Sequence, residues 1–295
     1  MKHLLTWLQI NDYTLRNKER WLWVLKIVIT AFCLWFLITK LQSTQYPPGS
    51  LLISSKVLPW ILLVLALVPL NWFLEIQKWR ASIPEEQLSF QEGLQAVLCG
   101  LALNWLMPFT LGDVSGRLSN VKNIRRTGVA LVANRALSMG ITLSYGGYAF
   151  LYFKEYPMSL YGWVVAVILL AFVMVAVMYG VRELVTFRQM LWYTLLRYLV
   201  FTFQFVVLIW AFVPQLSLEI IFIGVGWIFL FRTIVPALFG NIGVREASAV
   251  VFFESYLESA AIILIPCVLI WIINNVLPSL VGLGLMFKLR VNIAR

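Results

Sequence analysis

The sequence predicts an all-α integral membrane protein, and three observations lead to that fold class. First, 61% of the 295 residues are hydrophobic and only 12% are charged, with a mean hydropathy of +0.87. A soluble domain of this length cannot bury so much apolar surface. Second, apolar runs of helical length recur along the chain. Third, these runs lack the period-2 alternation of a membrane β-barrel, so helices are left to satisfy the backbone in lipid.

Six segments are predicted to cross the membrane in full, at about 21–39, 57–76, 129–152, 160–180, 191–213 and 260–287. Residues 1–20 are predicted to be a cytoplasmic segment, either an interfacial amphipathic helix or a frayed terminus. Residues 21–295 then form a single polytopic membrane domain. Within the second span, Pro69 is expected to kink the helix, and Asn71 and Glu75 fall on one helical face.

Two further apolar segments, 88–107 and 218–235, each end at a motif that occurs twice. In both copies a proline, a glycine, an Asx residue and an arginine follow in the same order, with the second copy 128 residues after the first. The two copies comprise Pro108, Gly112, Asp113, Gly116 and Arg117, then Pro236, Gly240, Asn241, Gly243 and Arg245, followed by Glu246. A helix breaker, flexible residues and a charge after an apolar run are typical of a binding site built from broken helices.

The distribution of Lys and Arg predicts how these two segments lie in the membrane. With both segments re-entrant and both termini cytoplasmic, the outer side carries only Lys40, Lys56 and Lys154, which fits the positive-inside rule. The alternative is eight full spans. In the re-entrant topology three spans separate the motifs, so the second copy enters from the opposite face. The repeat is then inverted, with halves at about 57–152 and 191–287 in the cytoplasmic membrane.

Composition also excludes several function classes. The net charge of +10 is read as topology signals and contacts to anionic lipid rather than as a nucleic-acid site, because no soluble basic module is present. His3 is the only histidine, and the three cysteines (Cys33, Cys99, Cys267) lack metal-ligand spacing. The sequence therefore predicts no metal site, no cofactor and no Ser-His-Asp triad.

Charged residues of the motifs are the candidate substrate-binding groups. Arg117 and Arg245 are predicted to contact an anionic headgroup, because the guanidinium fork matches phosphate. Arg135, about two turns into the third span, is a third candidate. The alternative is that these arginines reach an interface or pair with Asp113 and Glu246. Those two acids are expected either to cap helices and pair with arginine, or to act on a substrate directly.

For the remaining polar and helix-breaking residues, the sequence suggests mainly structural roles, with a functional alternative for Glu75. Glu75 either pairs with Lys78 one turn later or carries a proton for coupling. Asn274 is expected to hydrogen-bond between helices. The glycines Gly112, Gly116, Gly240 and Gly243 are expected to serve turns and close approach of chains, and Pro108 and Pro236 to break helices.

These motifs, with Thr127, Gly128 and Arg135 after the first copy, resemble the transmembrane part of lysylphosphatidylglycerol synthases and the stand-alone flippase-like domain proteins. The resemblance covers roughly residues 15 to 290. It implies an all-helical fold with two re-entrant elements and a role in handling lipid. The chain departs from the family in having Asn241 and fewer motif glycines. It also has no room for a soluble aminoacyl-transfer domain, so lysyl transfer is not expected.

Three functional hypotheses follow. The first is a flippase or transporter for an anionic lipid or lipid-linked headgroup, with membrane lipids as partners and no nucleic acid. The second is an intramembrane enzyme acting on a lipid-linked substrate, with Asp113 or Glu75 as general base; it is ranked lower because no histidine, metal cluster or nucleotide loop supports it. The third is an accessory partner of another membrane enzyme.

Overall fold

The computed structural model describes residues 21, 24–42, 55–105, 111–118, 121–155, 184–236 and 242–293. Over these ranges the chain is all-helical, with no strand, as predicted. The α-helices are α1 (Val24–Gln42), α2 (Leu58–Ala66), α3 (Val68–Ser82), α4 (Phe90–Leu103), α5 (Leu111–Leu118), α6 (Ile124–Phe153), α7 (Leu184–Phe212), α8 (Leu218–Ile234), α9 (Val244–Phe253), α10 (Leu264–Trp271) and α11 (Leu277–Ile293).

Four helical stretches of the described chain are long and apolar enough to cross a membrane. They are Val24–Gln42, Leu58–Ser82, Thr186–Phe212 and Ala260–Met286. Each coincides with a predicted span. The predicted third span is helical throughout as α6, but it is not among these four. It contains polar residues such as Asn134 and Ser138, which lower its mean hydropathy; Asn134 is buried, and Ser138 accepts a hydrogen bond from Lys78 of α3.

The second span is broken near its middle, as the position of Pro69 predicts. Leu67 is a turn between α2 and α3, and Pro69 lies in the first turn of α3, where its missing N–H is tolerated. The helix then continues to Ser82, beyond the predicted end at about residue 76. It can do so because Lys78 is buried beside Glu75 rather than lying at a membrane boundary.

Helices α4 and α5 form the first hairpin, which contains the first motif. Ser89 caps α4 in a capping box with Glu92, which satisfies free N–H groups of the first turn. The two helices pack so closely that a Cβ on Gly116 would lie 2.5 Å from Cα of Gly100. A Cβ on Gly112 would likewise clash with the backbone at Asn104. The motif glycines therefore serve close approach, as predicted, and they do so inside a helix.

Helices α8 and α9 form the second hairpin, also antiparallel. Ser217 caps α8 as Ser89 caps α4, and the two serines are 128 residues apart, which is also the offset between the two motif copies. Helix α8 ends at Ile234, directly before Pro236. Gly243 has a φ of +88°, a conformation that favours glycine, and it precedes α9. Trp227 donates to the Ser248 carbonyl across the hairpin at 3.0 Å.

The helices of the two halves pack against each other in a crossed manner. Helices α3 and α7 are antiparallel, since Asn71 bonds to Arg197 while Val64 bonds to Gln204. Helix α4 packs on α11, where Trp105 donates to Ser279 at 3.0 Å. Helix α8 packs on α6. The main apolar core lies around α7, α8, α9 and α10, with Trp227, Phe229, Phe252 and Phe253 among its buried residues.

Helix α1 lies against the start of α9, where a Cβ on Gly243 would be 2.9 Å from Cβ of Cys33. Lys40 at its other end pairs with Glu254 after α9. Several predictions fall on residues outside the described ranges. They are the N-terminal segment 1–20, the fourth span at 160–180, and the motif residues Pro108, Gly240 and Asn241.

Candidate functional site

The structure gathers the polar residues of the first half around Glu75 on α3. The Glu75 carboxylate is 2.6 Å from Nη2 of Arg117, 2.8 Å from Nη1 of Arg197 and 3.1 Å from Nζ of Lys78. Only 5% of Glu75 and 3% of Lys78 are exposed. The predicted Glu75–Lys78 pair is confirmed, and two arginines from other helices join it. We call Glu75, Lys78, Arg117 and Arg197 the Glu75 cluster.

Arg117 is a buried cation of the Glu75 cluster that also contacts Asp113 and Trp79. Its Nε donates to Oδ1 of Asp113 at 2.8 Å, and its guanidinium lies 4.9 Å from the Trp79 ring centre. Within the described residues its Nη1 has no hydrogen-bond acceptor. The sequence allowed Arg117 either to contact a headgroup or to pair with an acid, and its pairing with Asp113 is confirmed. Arg135 is about half exposed and reaches Oδ2 of the same Asp113 at 3.3 Å.

Arg245 and Glu246 of the second motif form a separate, buried pair at the start of α9. Nε of Arg245 donates to the Glu246 carboxylate at 3.0 Å. The other oxygen of Glu246 accepts the N–H of Gly243 at 2.9 Å, so Glu246 both caps its helix and pairs with arginine, as one reading predicted. Only 2% of Arg245 is exposed. The two motif arginines thus lie in different ion-pair groups.

Further polar contacts connect the Glu75 cluster to the helical segment that precedes α11. Asn71 donates to Asn274 at 2.9 Å, which confirms the predicted interhelical hydrogen bond. Asn274 lies in a π-helical segment, Ile272–Val276, between α10 and α11. A π segment inside a helix is frequently found at functional sites. Arg197 donates from Nε to Asn71 at 3.2 Å, so one arginine joins both layers.

Beside the Glu75 cluster lies a cavity of about 240 Å³ between α6, α7 and α8, which we call the arginine pocket. Its lining comprises Ser138, Thr142, Arg197, Tyr198, Phe201, Phe229, Arg232 and Thr233. The lining thus includes two guanidinium groups and four hydroxyl groups, and no carboxylate is among the described lining residues. Such a lining suits an anion with an adjoining apolar part.

The two arginines of the pocket differ in their surroundings. Arg197 has 29% of its side chain exposed and is held on one side by Glu75. Arg232 lies 5.7 Å from the Phe201 ring centre and close enough to Arg245 for their charges to interact. The pocket therefore adjoins the Glu75 cluster through Arg197 and approaches the Arg245–Glu246 pair through Arg232.

Sequence reasoning named Arg117, Arg245, Arg135, Asp113 and Glu246 as binding residues, and the pocket is lined by none of them. Arg197 and Arg232 were missed as site residues, although both are charges within apolar helices, which by itself indicates a functional site. Comparison of the chain with family models, curated proteins and solved structures gives no match.

Proposed function

We propose that the protein moves anionic lipids between the leaflets of a cell membrane and holds the headgroup in the arginine pocket. The observation that carries this proposal is that Arg197 and Arg232 line one cavity, whose described lining residues include no carboxylate. A cationic group within the apolar part of a membrane protein is costly, so it is retained where it binds a partner of opposite charge. The acyl chains would remain in the surrounding lipid.

We also propose the topology that transport requires, six full spans with two re-entrant hairpins in an inverted repeat. Helix α4 has 14 residues, about 21 Å, which is shorter than the roughly 30 Å hydrocarbon core. The way in which helices of one half pack on helices of the other also supports an inverted repeat. Helix α3 meets its counterpart α7 antiparallel, while α4 packs on the last helix of the other half and α8 on the last helix of the first half. Inverted repeats of this kind permit alternating access to a site between them.

The resemblance to the flippase-like family stays a prediction that agrees with this proposal. No described contact favours the enzyme hypothesis. Glu75 and Asp113, its candidate bases, are both engaged by cations, and neither lines the pocket. A ligand in the pocket would therefore meet donors and positive charge among the lining residues, which suits binding better than proton abstraction.

Lipid exchange in reconstituted vesicles tests the proposal. Vesicles with the protein are expected to move fluorescent phosphatidylglycerol between leaflets faster than protein-free vesicles. Arg232→Gln is expected to slow this movement about tenfold, because one charged hydrogen bond to a ligand contributes about 1.5–3 kcal/mol. Arg126→Gln is the matched control, since Arg126 pairs with Glu85 at the exposed start of α6. A wild-type rate equal to that of protein-free vesicles, for every anionic lipid tried, would contradict the proposal.

A further inference from the structure

The hydroxyl groups of the arginine pocket offer a ligand something different from its guanidinium groups. Three of the four hydroxyl groups in the lining belong to Ser138 and Thr142 on α6 and to Tyr198 on α7. Each hydroxyl group has one proton to donate and lone pairs that accept hydrogen bonds. The destinations of these three protons therefore decide whether a ligand should bring acceptors or donors to this part of the pocket.

The proton of each of these three hydroxyl groups is used inside the protein. Ser138 Oγ donates to the Asn134 carbonyl at 3.0 Å and accepts from Nζ of Lys78 at 3.3 Å. The hydroxyl oxygens of Thr142 and Tyr198 each lie 2.9 Å from the Ser138 carbonyl, and they also contact each other. Whichever of these bonds form, both protons stay among Ser138, Thr142 and Tyr198. The three hydroxyl oxygens are therefore left to a ligand as acceptors.

A neutral donor suits these oxygens better than a charged one. Arg197 and Arg232 line the same cavity, and their positive charges disfavour an ammonium group beside them. Glu75 pairs with Arg197, and the Arg245–Glu246 pair is near enough to Arg232 for their charges to interact, but none of these three residues lines the cavity. Ligand hydroxyl groups can donate to the oxygens of the pocket without bringing a further positive charge.

The apolar part of the lining consists of two nearly parallel aromatic rings. The ring centres of Phe201 on α7 and Phe229 on α8 are 5.3 Å apart, with an angle of 9° between the ring planes. The cavity volume of about 240 Å³ is below the roughly 300–1,000 Å³ of sites for drug-sized ligands, so it suits a small headgroup whose acyl chains stay outside. A ring polyol has C–H groups on its faces and hydroxyl groups at its edge. It can therefore contact aromatic rings and hydroxyl oxygens at the same time.

We propose that the arginine pocket binds a cyclic polyol, such as inositol or a sugar, that is joined to its lipid through a phosphate group. The phosphate meets the guanidinium groups of Arg197 and Arg232. The hydroxyl groups of the polyol donate to the oxygens of Ser138, Thr142 and Tyr198. This inference rests on the proposed function and names its substrate class, and the donors of the headgroup rather than its charge are what the pocket selects.

Binding of short-chain lipids to the purified protein in detergent, measured by calorimetry, tests this proposal. Phosphatidylinositol and phosphatidylcyclohexanol have the same single negative charge and the same size of ring, but only the first has free hydroxyl groups. The wild-type protein is expected to bind phosphatidylinositol at least about tenfold more tightly, because two or more neutral hydrogen bonds are gained. Glycerophosphoinositol, which is the same headgroup without acyl chains, is expected to bind more weakly than phosphatidylinositol.

Two variants assign this preference to the hydroxyl oxygens of the pocket. Tyr198→Phe and Thr142→Val each remove one acceptor and keep a side chain of similar size. Each is expected to lower the affinity for phosphatidylinositol about threefold to tenfold, the range of one neutral hydrogen bond, and to leave that for phosphatidylcyclohexanol nearly unchanged. Tyr193→Phe is the matched control, because Tyr193 lies earlier on α7 and does not line the pocket. The ratio of the two affinities is measured on one protein, so a smaller folded fraction does not change it.

The possible outcomes distinguish this inference from the proposed function. Equal affinity of the wild type for both lipids, with both weakened in Arg232→Gln, overturns the polyol assignment and leaves lipid transport supported. A wild-type preference that both Tyr198→Phe and Thr142→Val retain also overturns it, because the hydroxyl oxygens would then not be the acceptors. Glycerophosphoinositol binding as tightly as phosphatidylinositol supports the polyol site but contradicts a lipid substrate. Absence of binding by all three ligands overturns both proposals.

Discussion

Arg117 in the first hairpin and Arg245 in the second occupy matching positions of the repeated motif, yet their acids come from different places. Arg117 reaches Glu75 on a distant helix as well as Asp113 on its own. Arg245 pairs with the adjacent Glu246, which also caps the same helix. The motif arginine of the first hairpin is therefore joined by an ion pair to α3, whereas that of the second pairs within its own helix. One motif thus serves an extended network in one half and a local cap in the other.

The largest effect is expected from removing the acid at the centre of the extended network. Glu75→Gln leaves buried Arg117 and Lys78 together with partly exposed Arg197 and no carboxylate between them, and breaking a buried ion pair costs about 3–5 kcal/mol. Glu246→Gln is the matched change in the second hairpin, and it is expected to cost less because the amide oxygen can still accept the Gly243 N–H. The free energy of unfolding in mixed detergent micelles measures both. Equal losses would show that the two hairpins do not differ in this respect.

The next largest effect is expected at Gly116, whose counterpart in the second copy is Val244. A Cβ on Gly116 would lie 2.5 Å from the Gly100 backbone, so Gly116→Ala must push α4 and α5 apart. Overpacking of this kind costs about 1–3 kcal/mol. Gly128→Ala in α6 is the control, because a Cβ there meets nothing within 4 Å. Thermal unfolding of the two variants should separate them, and a Gly116→Ala protein as stable as the control would contradict the close packing of the first hairpin.

A smaller effect is expected from making the first motif more like the second. Asp113→Asn places an amide where the second copy has Asn241. Arg117 then keeps Glu75, while Arg135 loses the acid 3.3 Å away. Since Asp113 is partly exposed, the expected loss is about 1 kcal/mol in the same unfolding measurement. A loss as large as that of Glu75→Gln would move the centre of the network from Glu75 to Asp113.

The smallest effect is expected at Glu86, a contact without a counterpart in the second half, where the matching residue is Pro214. The backbone N–H groups of Lys122 and Asn123 donate to the Glu86 carboxylate and lower its pKa. A lowered pKa stabilises the fold above the unfolded-state value near 4.3. This contribution is lost as pH falls through the lower folded-state pKa. Glu86→Gln should therefore lessen the fall in thermal stability between pH 6 and acidic pH, and an unchanged fall would contradict this contribution.

Much of the fold follows from local sequence. Apolar runs predicted helices that the structure has, Pro69 predicted the break between α2 and α3, and the motif glycines predicted close chain approach. The pairs between near neighbours, such as Glu75 with Lys78 and Arg117 with Asp113, were also among the readings of the sequence. These features depend on residues within one or two helical turns, where spacing alone determines which side chains can meet.

The site depends on contacts that spacing does not reveal. Arg197 and Asn71 are 126 residues apart, and their contact exists only because α7 lies antiparallel to α3. From sequence, Arg197 and Arg232 were two of several basic residues in or near the membrane, with nothing to show which of them shared a cavity. Rotation of each helix about its axis is set by packing against its neighbours. The sequence by itself therefore determined a helical membrane protein with a repeated motif. Only the tertiary structure decided that Arg197 and Arg232, rather than the motif arginines Arg117 and Arg245, line the pocket, because that choice depends on how the helices pack.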